Sequence, residues 1–162
     1  MRTRDDIRLT RRTVVKLSWR FVSVAALASN LPDGWLYATP LAMQEAIRAV
    51  VGTARLLHGK VALDLPPLVE NGNAVPMAVA VDSSMTPNDF VKAIHVFNEK
   101  NPQPHVLDVQ LGPRAGRARI STRIRLADSQ KIVALAELSD GSFWATSVDV
   151  IVTLAACIEG PS

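Results

Sequence analysis

A single cysteine, Cys157, is the only thiol in 162 residues, so no disulfide can close within the chain. Histidine is scarce too, with only His58, His95 and His105 present. No two of them stand at a metal-ligand spacing and no motif ties any of them to an acid. The expectation is therefore no metal and no cofactor, with each histidine structural. A blue-copper centre needs two histidines, a cysteine and a weak axial ligand; nothing after Cys157 supplies the His or Met that such sites carry. A self-contained cysteine enzyme would need a base beside Cys157, and a Cys–His pair assembled only in space leaves no trace in sequence. Phosphate-cradling loops are missing: Gly112-Pro113-Arg114-Ala115-Gly116 matches no nucleotide fingerprint and reads as a turn. There is no internal repeat and no low-complexity linker.

Charge of one sign is also short once its location is considered. The formal net charge is +3, yet residues 1–38 hold seven basic side chains against three acidic ones, leaving 11 basic and 12 acidic residues in the remainder. A body so near neutrality offers no global attraction to nucleic acid.

The basic excess reads as an address. Thr10-Arg11-Arg12-Thr13-Val14-Val15-Lys16 is a twin-arginine pattern, followed by an apolar stretch from Leu17 to Ala28 that Arg20 interrupts. That stretch falls short of the roughly 20 apolar residues a bilayer crossing needs. Residues 1–38 are therefore expected to be a signal peptide, with cleavage after Ala38 or, at an earlier site, after Ala28. No other segment is apolar enough to span a membrane, so the mature protein is expected in a periplasm and free of the membrane. Thiols oxidise readily there, which makes a lone one informative.

In residues 39–154, Thr39-Pro40 opens a helix as N-cap and first helical residue. Met43, Ile47, Val50, Val51 and Ala54 form one apolar stripe, and the pattern predicts a helix to about His58, with Gly52 near its end. Beyond it the period changes to two. Lys60–Leu65, Val75–Val81, Val91–Phe97, Leu107–Leu111, Ala118–Leu126, Ile132–Leu138 and Val148–Leu154 read as strands, Pro76 marking an edge strand or a strand start. Turn signals separate them: Asn71-Gly72-Asn73, Asp82-Ser83-Ser84, Asn101-Pro102-Gln103-Pro104, Gly112-Pro113, Asp128-Ser129 and Asp140-Gly141. About seven short strands with frequent turns predict an all-β fold, an immunoglobulin-like antiparallel β-sandwich preceded by an N-terminal helix.

Two features carry chemistry. Cys157 follows the last strand, inside a segment 155–162 that reads as a carrier arm: Ala155, Ala156, Ile158, Glu159 and Gly160 flank the thiol. Three residues past Leu154, an extended chain reaches roughly 10 Å. A free thiol titrates near 8.5, so only a small fraction is nucleophilic thiolate at neutral pH, and activation would come from a partner's site. The second feature is a row of arginines. Arg117, Arg119, Arg123 and Arg125 share one face of a strand, opposite Ala118, Ile120, Thr122, Ile124 and Leu126. Guanidinium groups pair with carboxylates and oxyanions, so the row is a candidate partner-docking face as well as a solvated sheet surface.

Several segments together resemble the SoxY family of sulfur carriers. They are Glu70-Asn71-Gly72-Asn73-Ala74-Val75-Pro76 with Val79-Ala80-Val81-Asp82-Ser83, Glu99-Lys100-Asn101-Pro102-Gln103-Pro104, Leu111-Gly112-Pro113-Arg114-Ala115-Gly116, Ser121-Thr122-Arg123-Ile124-Arg125-Leu126-Ala127, Asp140-Gly141-Ser142 and Val152-Thr153-Leu154-Ala155-Ala156-Cys157. The twin-arginine leader is similar to what precursors of that family carry. The resemblance implies an immunoglobulin-like carrier that is not itself an enzyme. It also implies a heterodimer with a SoxZ-like subunit and a terminal cysteine bearing thiosulfate-derived sulfur. Partner enzymes would act on that cargo: a c-type cytochrome, a hydrolase and in some systems a sulfur dehydrogenase. On that resemblance Cys157 is the attachment point. The arm departs from the family's Gly-Gly-Cys-Gly-Gly ending, because alanine, isoleucine and glutamate are stiffer or bulkier than glycine. A carrier or adaptor serving another periplasmic pathway is the alternative.

Overall fold

The computed structural model describes residues 39–154. Thr39 caps helix α1 (Pro40–Val51), its side-chain oxygen accepting from the Ala42 amide at 3.1 Å, and Pro40 occupies the first turn. The helix stops earlier than its apolar stripe predicts. Gly52 turns out of the helix at φ 63° while its amide still bonds Arg48 O at 2.8 Å, a conformation that glycine adopts without a Cβ penalty. Leu56–Leu57, expected as helix, form instead a short strand, β1.

The remaining strands are β2 (Val61–Asp64), β3 (Leu68–Val69), β4 (Val75–Val81), β5 (Val91–Asn98), β6 (His105–Gln110), β7 (Arg119–Ile124), β8 (Gln130–Leu138) and β9 (Phe143–Val152). The larger sheet runs β1-β9-β8-β5-β6, with β3 also on β9; the smaller runs β2-β4-β7. All pairings are antiparallel except those of β1 and β3, which lie parallel to opposite ends of β9. These features bear out the immunoglobulin-like sandwich. Pro76 belongs to the middle strand of the small sheet, but it lies beyond the end of β2, whose pairing stops at Asp64↔Ala78. At that point β4 has a neighbour on one side only, which a residue without an N–H tolerates.

Two apolar clusters hold the domain. The main one fills the space between the sheets: Val75, Met77 and Val79 of β4, Ile94 and Val96 of β5, Ile124 beside Leu126, and Ile132, Ala134 and Leu138 of β8. Each of these side chains larger than alanine, removed from water, stabilises by about 1.5–3 kcal/mol. The second cluster lies on the other face of the large sheet, where Met43 and Val51 of α1 cover Phe97, Val133 and Leu135. Hence β5 is buried on both faces over most of its length.

One irregularity matters for the site. In the β5–β6 hairpin, His95 pairs with Asp108 and Val96 with Leu107, but Phe97 pairs with His105. Val106 is the extra residue of a β-bulge. Paired residues share a face, so the bulge turns His105 to the side occupied by His95, Phe97 and Asp108. In a regular strand His105 and Asp108, three apart, would point to opposite faces.

Candidate functional site

Cys157 lies outside the described residues, as do Ala155, Ala156, Ile158, Glu159, Gly160 and the expected signal peptide, residues 1–38. The place from which the arm departs is described. Val152 donates its amide to Ser129 Oγ at 2.9 Å, and the Thr153 amide bonds Val69 O at 2.9 Å. Leu154 is clamped on both sides: its amide bonds Glu70 O at 3.2 Å, and its carbonyl accepts from Gly72 N at 2.8 Å. Gly72 O in turn accepts from Leu126 N at 2.8 Å. Asn71-Gly72-Asn73, legible only as a turn, is thus the bracket that fixes Leu154, the last described residue. Its Asn71 Oδ1 accepts from the Asn73 amide at 2.9 Å.

Next to that bracket stands a polar hub. Asn101 Nδ2 donates to Arg125 O at 2.7 Å, while Asn101 Oδ1 accepts from Ala127 N at 3.0 Å and Gln130 Nε2 at 2.8 Å. Gln130, 4% exposed, also accepts from the Lys100 amide at 2.8 Å. One side chain therefore ties the β5–β6 turn to the chain leaving β7 and to the start of β8. Asn101→Ala removes these three side-chain bonds, each contributing on the order of 1 kcal/mol, and leaves a buried amide short of a partner. A loss of about 2–3 kcal/mol in urea unfolding is expected. Beside the hub, Asp128 is held below its ordinary 3.8 by the Lys100 side-chain hydrogen bond and then by the Ser129 amide.

The arginine row falls as the alternation predicts, but the opposite face follows it only in part, with Ile120 half-buried and Thr122 exposed. Arg117, Arg119, Arg123 and Arg125 are exposed, while Ala118, Ile124 and Leu126 turn inward. None of the four pairs with an acid among the described residues. The structure separates them, however. Arg123 and Arg125 line a groove of about 410 Å³ with Asn98, Asn101 and His105. Arg123 also borders a wider groove on the outer face of the small sheet, with Asp64, Pro76, Ala78 and Ser121.

The histidines divide likewise. His58 Nδ1 donates to Ala145 O at 2.9 Å, a structural role that anchors the segment after β1. His95 and His105 instead converge on one carboxylate: both His95 Nδ1 and, at 3.0 Å, His105 Nε2 reach Asp108 Oδ1. No sequence motif ties either histidine to an acid. His105-x-x-Asp108 is visible in the chain, but the bulge that puts the two on one face is not.

Among families of known proteins, the sequence model described as "Sulfur oxidation protein SoxY" matches residues 47–157. No curated protein matches the chain. Among solved structures, the sulfur carrier protein SoxY from Chlorobium limicola f thiosulfatophilum is similar at 25% identity and TM-score 0.59, over 70% of this chain and 98% of that one. A superoxide reductase (neelaredoxin) from Ignicoccus hospitalis is similar at 13% identity and TM-score 0.52, over 70% of this chain and 92% of that one. A putative superoxide reductase from Thermotoga maritima reaches 19% identity and TM-score 0.52, over 60% of this chain and 93% of that one. The last two share the fold alone. With well over half of its length matched, ending on the cysteine itself, the chain belongs to the SoxY family of sulfur oxidation proteins.

Proposed function

We propose that this protein is a periplasmic sulfur carrier that holds thiosulfate-derived sulfur covalently on Cys157 and presents it to partner enzymes. One observation carries the reading: the family match runs through residue 157, and that residue is the chain's only cysteine. The clamp on Leu154 supports it further. Leu154, held on both sides, stands three residues before the thiol, a span of roughly 10 Å in fully extended chain.

The chemistry follows from the thiol. Loading joins the Cys157 sulfur to the outer sulfur of thiosulfate, forming an S–S bond. It releases the thiol proton and two electrons, which a c-type cytochrome accepts. Water then cleaves the bond to the sulfonate group, giving sulfate and a persulfide on Cys157 with no change of redox carrier. A sulfur dehydrogenase would take the remaining sulfur. The protein supplies none of these catalysts. It supplies a nucleophile and a way to move it between them. A SoxZ-like subunit is the proposed partner, with Arg117, Arg119, Arg123 and Arg125, exposed and paired with no acid among the described residues, as contacts for its carboxylates. Export by the twin-arginine leader would place the carrier in the periplasm.

Intact-mass spectrometry of the protein from cells oxidising thiosulfate tests the reading. Species heavier by sulfur and by thiosulfate, localised to Cys157, are expected; a bare thiol under every growth condition rejects it.

A further inference from the structure

We propose that His95, His105 and Asp108 form a binding site for a divalent first-row transition cation, zinc in the first instance. Two imidazoles and one carboxylate make a donor set that zinc accepts through nitrogen and oxygen, and that recurs as a three-ligand face on other metals of the row. One donor atom from each residue lies within 4.8 Å of the others. His95 Nδ1 and His105 Nε2 already address the same oxygen, Asp108 Oδ1. A cation seated there would take the place of the protons these groups share.

The trio is held ready. His95 is 8% exposed, and its buried Nε2 has no hydrogen-bond partner among the described residues, while Nδ1 points at Asp108. His105 is fixed by stacking on Phe97, with ring centroids 4.6 Å apart and planes at 13°. The bulge at Val106 supplies the third condition by putting His105 on the face of His95 and Asp108. Asp108 and His105 remain open to solvent, at 47% and 39% side-chain exposure, so a cation has a way in. Three protein donors leave at least one coordination position for water or an anion. His105 also lines the groove of Arg123 and Arg125.

The test is titration of the chelator-stripped full chain with zinc chloride by calorimetry, with cobalt(II) absorption as a second probe of ligand type. One equivalent of zinc is expected. Asp108→Asn and His105→Gln, both at exposed positions, should weaken it about 10- to 100-fold, no less than outer-shell changes do at known sites. Thermal melts confirm that both variants fold. Cys157→Ser should bind zinc like the wild type. No uptake by the wild type, undiminished uptake by the two variants, or dependence on Cys157 each overturns the proposal. Sulfur adducts are read by mass on a different residue, so the carrier reading stands or falls separately.

Discussion

Cys157→Ser is expected to abolish every sulfur adduct and, with it, growth-linked thiosulfate oxidation. Serine nearly reproduces the shape of cysteine, but its hydroxyl neither ionises near neutral pH nor forms a sulfur–sulfur bond. Loading therefore fails at the first step rather than slowing. The substitution separates two accounts of the same family membership. A carrier loses function entirely while its circular dichroism and its affinity for the partner subunit stay as they were. An adaptor that works through its surface keeps both binding and phenotype. The second outcome would gain force from the bulky Ile158 and Glu159 beside the thiol, and would move attention to Arg117, Arg119, Arg123 and Arg125. Retained thiosulfate oxidation in a folded serine variant refutes the carrier.

Phe97→Ala is expected to cost more stability than Asn101→Ala, about 3–5 kcal/mol in denaturant unfolding. Phe97 is wholly buried and is the largest side chain in the cluster beneath α1, touching the layer made by Met43, Val51, Val133 and Leu135. It also stacks on His105. Removing the ring opens a cavity that two β-strands, hydrogen-bonded on both sides, cannot close by collapsing. For a domain whose whole stability is about 5–15 kcal/mol, this is a large fraction. Leu41→Ala on the same helix is the control: at 62% exposure it should stay within about 0.5 kcal/mol of the wild type. A small effect at Phe97 would mean that α1 does not seal that face of the sheet.

How far the fold is legible in the sequence depends on where each element's partner lies along the chain. Long strands are legible because alternation records burial on one face. Val75, Met77, Val79 and Val81 all turn inward, and Pro76 turns out. The apolar run Val91–Phe97 is legible as buried on both sides, and the reason is the helix over its outer face. The two-residue strands β1 and β3 are not legible. Their identity comes entirely from parallel pairing with β9, Leu56↔Phe143 and Leu68↔Ile151, and two residues carry no period. The apolar stripe likewise overstates the length of α1: Ala54 keeps its spacing, but the chain leaves the helix at Gly52. The fixing of Leu154 is equally hidden. The Leu154 clamp depends on Gly72, more than eighty residues upstream.

The sequence by itself determined the class of the fold, the family and the position of the chain's one thiol. Those properties rest on local alternation, on matched segments and on the presence of a single thiol. Tertiary structure alone decided which polar residues meet. Asn101 reaches Arg125, Ala127 and Gln130, and a one-residue bulge at Val106 gathers two histidines around Asp108. Strand register is set by the packing of whole sheets, and one extra residue reverses which face a side chain occupies. No spacing in the linear chain records that reversal.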